Sequence, residues 1–205
     1  MIKMRNSTKM PRGRPRKYDE DAALTGAMLL FWQKGLSATS LDDLAHAMNM
    51  NRPSIYNAFG NKDQIYRKAL QRFCGQLDLG VQETLETLPD LQDGLRAFFN
   101  RAIDVYCGTD PAMGCLMVCT APSEVFSHPE VGSDLNELIQ RLDKSFVKRL
   151  KRAQVEGELA DDIDPKLTAS LLQATLQTVA IRARAGASKV ELKKVASYAV
   201  ERLTK

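Results

Sequence analysis

Residues 39–62, TSLDDLAHAMNMNRPSIYNAFGNK, decide the fold. Ser40 can cap a helix by accepting from the backbone three residues on, and Asp43 supplies the reciprocal half of a short capping box. Leu41, Leu44, Ala45 and Met48 follow at helical spacing and form an inner stripe. Asn49 tolerates the left-handed conformation that a tight turn requires. Asn51 then caps a second helix with Pro53 in its first turn, where a missing N–H costs nothing. Ile55 and Phe59 point inward, and Gly60 breaks the helix. Asn61 caps a further one whose inner face is Ile65, Ala69, Leu70 and Phe73. Two short helices joined by a polar turn, with another helix directly behind, have the sequence form of a helix-turn-helix.

One more helix precedes this unit. It is expected from Asp19 to about Lys34, with Ala23, Ala27, Leu30 and Phe31 on its apolar face and Gly35 at its end. Asp19, Glu20 and Asp21 suit the positive end of its dipole. Residues 1–17 carry seven basic side chains and no acidic one, and read as a disordered basic arm. The other 188 residues sum to −3, against +4 for the whole chain. A positive arm on a slightly acidic body points to a polyanion met at one end. Helix formers dominate a chain that is 44% hydrophobic and only 6% aromatic, so the expected class is all-α.

A helix fits the major groove, and side chains on the outer face of its N-terminal half reach base edges. In Asn51–Phe59 those are Arg52, Pro53, Ser54, Tyr56 and Asn57. Arg pairs with guanine through two donors, Asn with adenine, and hydroxyls hold phosphates. Ser40 and Lys62 stand at helix starts that already attract a phosphate, and Thr39 adds a hydroxyl beside them. In the arm, Arg12-Gly13-Arg14-Pro15 resembles an AT-hook core, and Arg12, Arg14 and Arg16 suit either a narrow minor groove or simple phosphate contact.

The run GLSATSLDDLAHAMNMNRPSIYNAFGNKDQIYRKAL, residues 35–70, resembles the N-terminal domain of TetR-type transcriptional repressors. The elements that match are Gly35, Thr39, Leu44 with Ala45, Tyr56 with Phe59, and Lys62. Asn49 stands where the family usually has a turn glycine. The resemblance covers residues 19 to about 73. It implies a homodimer of all-α subunits, each placing one recognition helix in a major groove of a palindromic operator. An inducer-binding domain then adjusts the spacing of the heads. Two heads about 34 Å apart reach successive grooves on one face of a duplex. The domains expected are the arm (1–17), the DNA-binding head (18–75) and a helical regulatory and dimerisation body (76–205).

The body holds 16 basic and 19 acidic side chains over residues 75–205 and is not expected to bind DNA. Amphipathic stretches are read at Leu91–Tyr106, at Pro111 to about Phe126 with a break near Pro122, and at Glu130–Glu156. A closing pair follows at Lys166–Ala185 and Ser188–Leu203. The resemblance assigns dimerisation to this pair, through Leu171, Leu172, Leu176, Val179, Ala183, Val195 and Ala199. Candidate walls of an inducer pocket are Phe98, Phe99, Tyr106, Met113, Cys115, Met117, Cys119, Phe126 and Phe146. A different signal, thiol oxidation or an electrophile, would act at Cys107, Cys115 or Cys119.

No cofactor or metal is expected: the two histidines, His46 and His128, are not at ligand spacing with the cysteines. Neither a phosphate loop nor a nucleophile–base pair in a sensible local context suggests an enzyme. The basic start lacks the apolar stretch of a secretory leader, and no apolar run approaches a membrane span. A cytoplasmic, nucleoid-associated regulator is the reading that remains, with an architectural protein for AT-rich DNA as the alternative that would rest on the arm.

Overall fold

The computed structural model describes residues 19–205, and within them nine α-helices and one π-helical turn account for the regular structure. Helix α1 (Glu20–Lys34) starts where Asp19 accepts from the N–H groups of Asp21 and Ala22. It ends at Gly35, whose φ of 79° favours a residue without a Cβ. Helix α2 (Leu41–Ala47) carries the full Ser40–Asp43 capping box. The turn behind it runs through Asn49 at φ 50°, so the expected left-handed site holds an asparagine. Asn51 caps α3 (Arg52–Phe59), and Asn61 with Gln64 caps α4 (Lys62–Val81).

The head closes around Ala27, Phe31, Leu36, Leu44, Ile55, Ile65 and Ala69, all buried. Gly26 lets α1 and α2 cross closely: a Cβ there would lie 2.1 Å from the Ala47 carbonyl oxygen. Helix α4 runs on past the head, and its last turn widens into a π-turn at Gln82–Glu86.

The body is built from α5 (Leu91–Tyr106), α6 (Leu116–Thr120), α7 (Pro129–Val155), α8 (Pro165–Arg184) and α9 (Lys189–Leu203). Helix α8 packs between α7 and α9, and α5 packs on α9. Phe98 sits edge-on to Phe146 at 5.4 Å and to Phe99 at 6.1 Å, forming the aromatic centre.

The helix expected over residues 111–126 is corrected to five residues. Gly114 adopts φ 70° and donates its N–H back to the Tyr106 carbonyl, so the chain cannot enter a helix before Cys115. Pro122, which disfavours helix at Ala121, stops it after Thr120.

Candidate nucleic-acid interface

Capping fixes where α3 begins, and burial of Ile55 and Phe59 fixes which way it faces. The opposite side therefore presents Arg52, Pro53, Tyr56 and Asn57 to solvent, with Ser54 partly covered. Tyr56 is 48% exposed despite its size. An open groove of about 460 Å³ lies between α3 and α4, with Tyr56, Asn57, Arg67 and Lys68 on its walls.

Arg52 is not free. Its Nε donates to Asp42 Oδ1 at 2.9 Å and its Nη2 contacts the same oxygen. Asp42 raises the Arg52 pKa further and orients the guanidinium from the neighbouring helix. The sequence signal for Asp42 is only a carboxylate on the outer face of α2, ten residues before the arginine.

The phosphate-side residues divide. Ser40 is exposed, with its hydroxyl engaged in the capping box. The backbone N–H and hydroxyl of Ser40, then Lys34, hold the Asp43 carboxylate down at about 2. Lys62 donates from Nζ to the Leu36 and Thr39 carbonyls, both at 3.0 Å, leaving one of its three protons for an outside acceptor. Thr39 is buried, and its hydroxyl donates to the Gly35 carbonyl at 2.6 Å, so in this structure its side chain shapes the turn. Arg12, Arg14 and Arg16, with the rest of the arm, lie outside the described residues.

The chain matches the family model "Bacterial regulatory proteins, tetR family" over residues 23–69 and "Tetracyclin repressor-like, C-terminal domain" over residues 92–199. It is 32% identical to the HTH-type transcriptional repressor ComR of Escherichia coli (strain K12), covering 92% of this chain and 90% of ComR. This chain belongs to the TetR family. The TetR-family regulator CifR, as a cysteine mutant bound to a 26-base-pair operator duplex, superposes with a TM-score of 0.85 at 28% identity, covering 92% of this chain and 98% of CifR. Similarity also extends to an activator, FasR of Mycolicibacterium smegmatis, at 31% identity over 40% of this chain and 38% of FasR. The protein is thus a helix-turn-helix DNA-binding transcriptional regulator, all-helical in the TetR manner.

The C-terminal half of this TetR-family chain holds an interior cavity of about 20 Å³ between α4 and α8. Leu77, Leu138, Leu142 and Leu176 supply apolar wall, and Tyr106, Cys115, Gln173 and Gln177 supply its polar groups. No charged side chain lines it. Of the nine expected wall residues, Tyr106 and Cys115 are there. Phe98, Phe99 and Phe146 fill the aromatic centre, and Met117 faces a second cavity beside Cys74 and Arg141. Met113 is half-buried and lends its carbonyl to Trp32, and the Cys119 thiol lies against the Ala180 carbonyl. Phe126 is corrected: it is 94% exposed on the loop after α6 and walls nothing.

Burial pushes every thiol away from its reactive form. Cys115 is raised to about 12 and Cys74 to about 11. Cys107 and Cys119 are raised as well, against the opposing pull of Lys189 and Lys193 on the first and, after the Cys115 backbone, Arg184 on the second.

The expected dimer face also needs correction. Leu172, Leu176, Val179 and Ala183 are buried within the protomer's own core, because α8 packs on α7, α5 and α9 at once. The side of α8 turned outward carries Leu167, Leu171, Ala174, Thr178 and Ile181, a stripe at spacings of four and three. Val195 and Tyr198 lie exposed on α9, and Ala199 is half-covered. Among the described residues, no helix is long and apolar enough to cross a membrane.

Proposed function

We propose that this TetR-family regulator is a homodimeric repressor that leaves a palindromic operator when a small molecule binds its body. One observation carries the reading: two solvent-facing surfaces of opposite chemistry on one protomer. The α3 face offers hydrogen-bonding groups suited to base edges and phosphates. The α8 stripe leaves aliphatic side chains in water, with Leu171 52% and Ile181 55% exposed, and a second copy of the same stripe covers them by two-fold symmetry.

Arg52 and Asn57 read bases. Tyr56, Ser40, Lys62 and the α4 N-terminus hold phosphates. In this reading the described residues divide into a DNA-binding head and a body that both dimerises and holds the cavity, with α4 (Lys62–Val81) shared between them. The uncharged cavity suits a neutral, largely apolar inducer, since an ion would enter without a counter-charge. At about 20 Å³ it must widen to accept one. That ties occupancy to a shift of α7 or α8 and so to the population with operator-competent spacing.

Light scattering of the free protein and of its complex with a promoter fragment is the test. A dimer when free and two protomers per palindromic site are expected. A monomer seated on a single half-site contradicts the reading.

A further inference from the structure

Residues 32–37, the end of α1 and the turn into α2, are gripped by the body at two points. Arg184, the last residue of α8, donates from Nη1 to the Trp32 carbonyl at 2.9 Å and the Met113 carbonyl at 3.1 Å, and from Nη2 to the Gln33 carbonyl at 3.1 Å. Glu124, on the loop between α6 and α7, is 4% exposed. Its Oε1 accepts the Ser37 N–H at 3.1 Å and its Oε2 accepts the Ser37 hydroxyl at 2.5 Å. The polarity fits each partner. The last carbonyls of a helix lack intrahelical donors and carry the negative end of its dipole, which a guanidinium satisfies. The turn beyond presents a free N–H, which a carboxylate satisfies.

The grip is anchored on α8 itself. Gly114 lies so close that a Cβ would stand 2.3 Å from the Ala180 carbonyl oxygen. The Met113 carbonyl beside it accepts from both Trp32 Nε1, at 3.2 Å, and Arg184. The end of α1, the 113–114 turn and the end of α8 therefore form one junction. Helix α1 packs on α2 and α4, which carry α3 between them, so the junction sets the orientation of the recognition helix relative to α8.

We propose that Arg184 and Glu124 are positioning residues for operator recognition: they hold each head at a fixed place on the α8 helix, and so fix the half-site spacing that the dimer accepts. This rests on the homodimer reading above. A head freed from this clasp samples a range of positions. Each spacing is then less populated, so affinity for the best operator falls and discrimination between spacings flattens.

The experiment titrates the full-length parent and its Arg184→Gln, Glu124→Gln and Arg184→Lys variants against four duplexes at fixed salt. These are a selected palindrome, the same with one base pair added or removed between half-sites, and a single half-site. Arg184→Gln and Glu124→Gln are expected to lose roughly tenfold on the native spacing and to change little on the single half-site. Their preference for the native spacing is expected to collapse by at least about fivefold, while light scattering still shows dimers. Arg184→Lys, which keeps the charge without the fork, is expected to recover part of the preference. An unchanged spacing preference overturns the proposal. So does an equal loss on all four duplexes, which marks a head that is damaged, not misplaced. If the parent itself binds half-sites with no preference for any spacing, the homodimer reading fails, and the proposal falls with it.

Discussion

The outer faces of α3 and α8 are both solvent-exposed in the protomer, yet they are built from opposite materials. Helix α3 spends its exposure on an arginine, a tyrosine and an asparagine, whose polar ends need no cover in water. Helix α8 spends it on leucine and isoleucine, which do. The first surface can wait for its partner indefinitely. The second gains from association at once, by the ordinary burial of apolar area. The protein is therefore expected to dimerise whether or not DNA is present, and to bind DNA reversibly as a preformed pair.

The largest expected effect comes from giving the α8 face the chemistry of the α3 face. Leu171→Asp with Ile181→Asp is expected to leave circular dichroism unchanged, convert the dimer to monomer, and lower affinity for a palindrome by about a hundredfold or more while sparing single half-sites. Persistence of the dimer would place the interface elsewhere. Leu172→Asp, one residue away but fully buried, is expected to unfold the chain, and a thermal melt separates the two outcomes.

On the α3 face, Tyr56→Ala is expected to weaken binding to all sequences by roughly tenfold, as a lost phosphate or sugar contact does. Arg52→Ala and Asn57→Ala are expected to change which bases are preferred, at a cost of roughly tenfold on the parental site. A recognition-helix variant that binds the parental site as well as the parent does would remove α3 from base reading. A smaller effect is expected of Asp42→Asn. Without the carboxylate, Arg52 is released and one negative charge leaves the DNA-facing surface, so non-specific binding rises about threefold and preference at the Arg52 base relaxes. Binding measured on random and selected duplexes at several salt concentrations reports both.

The smallest effect is expected at Cys115. A thiol at about 12 instead of 9.0 holds about a thousandfold less thiolate at pH 8, so alkylation is slow and its rate climbs with pH up to about 12 without levelling. Mass spectrometry over a pH series checks this. Rapid labelling at pH 7 that also releases DNA would revive a thiol switch.

The head was legible in sequence because its signals are local. Ser40, Asn51 and Asn61 each cap within three residues, Asn49 and Gly60 mark turns by their own backbone preference, and each short helix has one buried face. The body was less so. Helix α8 is wrapped on several sides, so its helical period names apolar positions without saying which face a neighbour takes, and Leu172 and Leu171 differ in burial while adjacent and identical in kind. Glu124, Arg184 and Asp42 escaped for a related reason. Each acts on a partner 87, 152 or 10 residues away, and no spacing rule reaches that far. Phe126 misled because a large aromatic residue normally argues for burial, and here the loop turns it outward.

Selection of bound sequences from random DNA by the purified protein, at fixed salt, tests the central claim most directly. The account predicts a palindrome whose half-sites lie about one helical turn apart, with base preferences that shift in the Arg52→Ala variant. Enrichment of AT-rich DNA without two-fold symmetry, unchanged by that variant, would contradict it and move recognition from α3 to the basic residues at the start of the chain.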